Sequence, residues 1–88
     1  MIDELKNYLD ITWDDDAVNN KLSGILQRAE NILKGYAGTD IDYTSDYTAK
    51  QLLFDCCRYI WNNAYEDFKV NYSGDLINLR AFYAVQKS

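Results

Sequence analysis

The sequence predicts an all-α fold: a compact bundle of about four helices with a central third helix, occupying residues 1–88 as a single domain. Three observations predict it. The chain has no Pro and four Gly, so little interrupts its helical stretches. Its apolar residues recur at spacings of three and four, the repeat of one helix face, and not in alternation. Start and stop signals divide the chain at regular points.

The first element is short. Leu5, Tyr8 and Leu9 give the i, i+3, i+4 stripe of a helix of about two turns. Asp3 and Glu4 fall in its first turn, where the helix dipole favours negative charge.

Thr12-Trp13-Asp14-Asp15 then reads as a helix start, with Thr12 as the cap and Asp14 and Asp15 facing free backbone N–H groups. Val18, Leu22, Ile25, Ala29, Ile32 and Tyr36 follow as a heptad-like stripe, which Leu26 and Leu33 widen. Asn20, Gln27, Glu30, Asn31 and Lys34 occupy the other side. Gly24 lies beside the stripe and suggests a close helix–helix approach, and Gly38 takes the stop position.

Residues 39–46 are polar and turn-like, and Ser45 or Asp46 opens the third helix. Ala49, Leu52, Leu53, Cys56, Tyr59, Ile60, Ala64 and Phe68 form its main face. Phe54, Cys57, Trp61 and Tyr65 add a second. A helix apolar nearly all round is expected at the centre, and this one is expected to run to about Val70. Ser73-Gly74-Asp75 reads as a break and a new start. The last helix carries Leu76, Ile77, Leu79, Phe82, Tyr83 and Val85, which do not fall on one narrow stripe. Part of that surface is expected to await a partner.

Composition narrows the function. A domain of 88 residues buries only about 60–65% of its unfolded surface, so its own stability margin is thin. Eight Tyr, three Phe and two Trp exceed what so small a core holds, and Tyr at the surface suits protein interfaces. Net charge is -5 and the sequence pI about 4.4, with the nine Lys and Arg scattered singly. Such a chain is repelled by phosphate, which argues against nucleic-acid binding. No His is present, so the usual general base is missing and an enzyme is not expected. No catalytic, cofactor or metal site is expected.

Cys56 and Cys57 are neighbours on a helix and point about 100° apart, so they form no ordinary disulfide. Asp40-x-Asp42-x-Thr44 resembles the start of a calcium loop, but Ser45 stands where the turn needs Gly and Gln51 where the closing Glu belongs. Asp14 to Asp16 cannot all face one ion on a helix, and Glu66 and Asp67 point apart. The opening Met-Ile-Asp-Glu-Leu-Lys has neither the basic nor the apolar stretch of a secretory leader. No apolar run approaches the ~18 residues of a membrane span.

The ordered set of segments resembles the small head–tail connector proteins of tailed phages and prophages of Gram-positive bacteria. The segments are Asp3-Glu-Leu-Lys-Asn-Tyr-Leu-Asp-Ile-Thr-Trp-Asp-Asp-Asp16, Ala29-Glu-Asn-Ile-Leu-Lys-Gly-Tyr-Ala-Gly38, Ala49-Lys-Gln-Leu-Leu-Phe-Asp-Cys-Cys-Arg-Tyr-Ile-Trp-Asn-Asn-Ala64 and Leu76-Ile-Asn-Leu-Arg80. The resemblance implies an adaptor of the virion neck, assembled in the bacterial cytoplasm. Such a protein joins as a homo-oligomeric ring, a dodecamer in the virion, beneath the portal protein and offers a platform to the next neck, stopper or tail protein. DNA passes through without specific binding, and no membrane is involved. The resemblance points to residues 73–88 as the portal contact, with Leu76, Leu79, Arg80, Phe82 and Tyr83 as partner-binding residues. An acidic lumen, with the 40–46 loop one candidate for it, would let DNA pass without sticking. The alternative is a small helical regulatory protein, antitoxin-like or a helix–turn–helix DNA binder. For the DNA binder the last helix offers only Asn78, Arg80, Gln86 and Lys87.

Overall fold

The structure is a computed structural model that describes residues 1–87, with side chains to Gln86. The side chain of Lys87, and Ser88, both within the segment assigned to the portal, lie outside the described residues. The described chain is all-helical. It comprises α1 (Ile2–Tyr8), α2 (Asp16–Ala37), α3 (Tyr47–Trp61), α4 (Tyr65–Asn71) and α5 (Ser73–Lys87). The helix count is therefore five where the sequence suggests about four.

The extra helix comes from a break inside the expected third one. That helix does not run to Val70. It ends at Trp61, and Asn63 adopts a left-handed backbone with φ 57°. The Asn63 N–H donates to the Ile60 carbonyl and the Ala64 N–H to the Tyr59 carbonyl at 2.7 Å, which folds the chain end back on the last turn. Asn tolerates the left-handed region better than most residues, so Asn62-Asn63 stops a helix that apolar periodicity alone would continue. α1 ends the same way: Asp10 has φ 59°, and Ile11 N–H reaches back to the Lys6 carbonyl at 2.9 Å.

The start of α2 also differs from expectation. Asp15, not Thr12, is the cap, and its carboxylate accepts from the Ala17 N–H at 2.7 Å. Asp14 instead receives the Asn19 amide and pairs with Lys6 at 3.5 Å. Gly38 closes α2 in the left-handed conformation, as its position suggests. Asp46 caps α3 by accepting from the Ala49 N–H at 3.0 Å. The break before α5 falls on Tyr72 alone, so Ser73 and Gly74 already belong to the helix.

The buried face of α2 is Leu22, Ile25, Leu26, Ala29, Leu33 and Ala37, while Val18, Ile32 and Tyr36 are only partly buried. A heptad stripe drifts around a straight helix by about 20° per seven residues, so an expected seam leaves the core at its ends. Gly24 marks no close approach, because a Cβ added there would meet nothing within 4 Å.

The third helix is not the one around which the others gather. α1, α3 and α5 all lie against α2, whereas α3 packs mainly on α2 and α4. At 22 residues α2 is the longest helix, about 33 Å, and can meet all three. α3 is still the most thoroughly buried, with Leu52 to Cys57 continuously inside. One core cluster joins all five helices, from Leu5 and Ile11 through Leu33, Leu53 and Phe68 to Leu76 and Leu79. The principal extents are 43 × 26 × 17 Å, a slab about two helices thick at the usual 8–10 Å packing distance. In such a slab an outer helix is covered on one side only.

Candidate protein-interaction surface

α5 shows the consequence. At about 100° per residue, its side chains divide into four directions. Leu76 and Leu79 point into the core at 3% and 8% exposure, with Tyr83 half-buried beside them. Ile77, Ala81, Ala84 and Val85 point away from it, and Ile77 and Val85 are 66% and 73% exposed. Asp75, Asn78 and Phe82 form one flank, Arg80 the other. The absence of one narrow apolar stripe thus has a simple geometry: α5 has two apolar faces, one of them turned to solvent.

Of the five residues expected to bind a partner, the structure divides the set. Leu76 and Leu79 are part of the core, with Leu79 edging the groove beside α3. Arg80 and Phe82 are exposed. Tyr83 is held by its phenol, which donates to the Asp46 carboxylate at 2.6 Å. Burial, reinforced by that carboxylate, pushes the Tyr83 hydroxyl up to about 12. Asp46 therefore caps α3 and anchors α5 at once.

Between the Asp75 flank and the N-terminal half of α3 lies a groove of about 760 Å³. Ala49, Leu52 and Leu79 supply apolar lining, and Tyr47, 75% exposed, joins Phe82 on its rim. Asp46, Asp55 and Asp75 are its carboxylates. Asp55 is buried among the apolar core residues of α3, at 9% exposure. It accepts from Tyr8 and from the Gln51 amide at 3.2 Å, with the Arg58 guanidinium 3.9 Å away. Sequence reasoning gave Tyr47 and Asp55 no role and read Asp75 only as part of a helix start. The available signal was Asp55 itself, a lone carboxylate within the apolar run Leu52 to Cys57.

The loop acids are each engaged. Asp42 accepts from the Thr44 hydroxyl, the Thr44 N–H and the Ser45 hydroxyl, which hold its carboxyl below the usual range. Asp40 pairs with Lys34 at 2.9 Å. Among the described residues no group of three acidic, Cys or His side chains is placed to hold a metal ion. Cys56 and Cys57 are buried free thiols, pushed up to about 12 by burial. Thiols so far from ionisation are poor nucleophiles at neutral pH. Among the described residues no helix is long and apolar enough to cross a membrane.

Comparison with known proteins finds no matching family model, no matching curated protein and no matching solved structure.

Proposed function

We propose that this chain is a structural adaptor of a tailed phage or prophage. It oligomerises into a ring, a dodecamer in the virion, that joins the portal to the next neck or tail protein and lets DNA pass through. The observation that carries the reading is the solvent-facing side of α5, where Ile77 and Val85 stand exposed beside Arg80 and Phe82. A small domain leaves large apolar side chains in water at a cost unless a partner covers them. The segment concerned is the one that the likeness to connector proteins assigns to the portal. The contact residues on this reading are Ile77, Arg80, Phe82 and Val85, with Leu76 and Leu79 supporting them from beneath.

A thin slab with a helix covered on one side only also suits a protein stabilised by ring neighbours, since binding adds to folded-state stability by mass action. The role needs no catalytic group, and the deeply protonated thiols and absence of His fit that. The test is co-sedimentation with the portal protein encoded in the same genome, followed by negative-stain imaging. Added axial density beneath the portal is expected. Failure to associate across salt and protein concentration overturns the adaptor role.

A further inference from the structure

We propose that the groove between α3 and α5 is a receptor for an arginine-bearing, partly apolar segment of a partner protein. The inference rests on the reading of α5 as an interaction helix, but does not need that partner to be a portal. It concerns the Asp75–Asn78–Phe82 flank and not the outward Ile77–Val85 face.

The chemistry of the groove selects the occupant. Among the described residues its three carboxylates are not grouped to hold a metal ion, and their charge repels phosphate and nucleic acid. A purely apolar segment would strip water from Asp75 and Asp46 without replacing it. A segment with both an aliphatic surface and a guanidinium meets every part of the site. The aliphatic part covers Leu52 and Leu79, and the planar cation stacks on an aromatic ring while pairing with a carboxylate.

A second observation points the same way. This chain covers several of its half-buried aromatics with its own cations. Lys21 lies 4.8 Å from the Trp61 ring centre, Arg28 5.3 Å from Tyr65 and Arg58 5.2 Å from Tyr59. Among the described residues no cation covers the three rings that are more than half exposed, Trp13, Tyr47 and Phe82, and of these Tyr47 and Phe82 stand together beside the groove's carboxylates. On their far side a second depression of about 590 Å³ brings in Asp40 and Asp42, again with no described Lys or Arg in its lining. The two rings thus stand between carboxylates on either side. Lys34 pairs with Asp40 and Arg58 lies 3.9 Å from Asp55, whereas Asp75, on the same flank of α5 as Phe82, has no ion pair among the described residues.

The test uses the full chain labelled with ¹⁵N and a short peptide of Arg and Leu, beside the same peptide with Glu for each Arg. Saturable shifts confined to Tyr47, Thr48, Gln51, Asp75, Asn78 and Phe82 are expected with the Arg peptide alone. The double variant Asp75→Asn/Tyr47→Ala should raise the dissociation constant about tenfold or more, the worth of one ion pair with one cation–ring contact. Ile77→Ala should leave it unchanged. Shifts spread evenly over distant acids such as Asp3 and Asp16 would overturn the site as mere charge attraction. Shifts at the groove that grow with protein concentration without peptide would overturn the partner assignment in favour of a second copy. Co-sedimentation with the portal separates the two readings. Peptide binding without portal binding removes the adaptor role and leaves the groove. Portal binding unaffected by the double variant, with no peptide binding, removes the groove and leaves the adaptor.

Discussion

The Tyr8 phenol donates to the Asp55 carboxylate, tying α1 to α3 between residues 47 positions apart. Asp55 is buried, and the Gln51 amide shares the same carboxylate oxygen. Removing a donor from a buried charge costs more than an average hydrogen bond, about 1.5–3 kcal/mol. Tyr8→Phe should therefore lower the stability by about that amount. At 4–8 °C per kcal/mol for a domain of this size, thermal melting should show a drop of roughly 6 °C or more. A Tm within a degree or two of the parent would mean that Gln51 and Arg58 suffice to hold Asp55.

Alkaline pH should act through the same kind of group. Burial, and the bond to Asp55, push the Tyr8 hydroxyl up to about 12, and Tyr83, Cys56 and Cys57 are likewise pushed up to about 12. In the unfolded chain thiols ionise near 8.5 and phenols near 10. A group whose folded pKa is raised contributes its stability fully below the unfolded pKa and loses it as pH rises through the folded one. Stability against urea should therefore begin to fall near pH 8.5, from the thiols first, and decline through pH 12. Cys56→Ala/Cys57→Ala should delay the onset to about pH 10. A flat profile to pH 11 in the parent would contradict this.

Most of the helices were legible in the sequence, while few of their ends were. Gly38 and the Asp46 cap are where pattern reading puts them. Asp10 and Asn63 end helices in the same left-handed manner without glycine, and the apolar pattern runs straight across Asn62-Asn63. The choice of α2 as the shared packing partner was hidden for a related reason. Once α3 stops at Trp61, α2 is left as the helix long enough to meet three others. At the candidate surface, the lack of a single stripe on α5 correctly indicated uncovered apolar area, but not which residues face outward. Leu79 and Phe82 lie three positions apart and have opposite fates because their neighbours differ, which periodicity does not encode.

Gly24 and Gly35 sit inside α2 with nothing within 4 Å of where a Cβ would be. Each costs about 0.8–1 kcal/mol relative to Ala in a helix interior. The double variant Gly24→Ala/Gly35→Ala should gain about 1–2 kcal/mol, read as a higher urea midpoint at unchanged slope. A lower midpoint would contradict the open space around these two positions. Gly38→Ala should go the other way by about 1 kcal/mol, because φ is 75° there.

Asp46 holds two elements with one side chain, capping α3 and accepting from Tyr83 on α5. Asp46→Ala should lose the cap, about 1 kcal/mol, and leave the Tyr83 hydroxyl without its carboxylate. Hydrogen exchange should quicken in the first turn of α3 and around Tyr83, while α1 amides stay as protected as before. Asp46→Asn should recover most of the cap. For the same reason, replacing the loop acids cannot serve as a clean test of a DNA-repelling lumen unless folding is checked first.

The outward face of α5 offers the clearest separation of function from folding. Ile77 is 66% exposed, so Ile77→Asp should change stability by under about 1 kcal/mol, chiefly through helix propensity. If that face meets the portal, the buried charge should reduce co-sedimentation about tenfold or more, because an unpaired carboxylate is costly in an apolar interface. Leu79→Ala should behave in the opposite way. At 8% exposure it should cost about 2–5 kcal/mol by leaving a cavity, a large part of a small domain's stability, and any loss of binding would follow from unfolding. Melting curves and sedimentation run on both variants therefore distinguish contact from support. Normal portal binding by a folded Ile77→Asp protein would move the contact elsewhere on the slab.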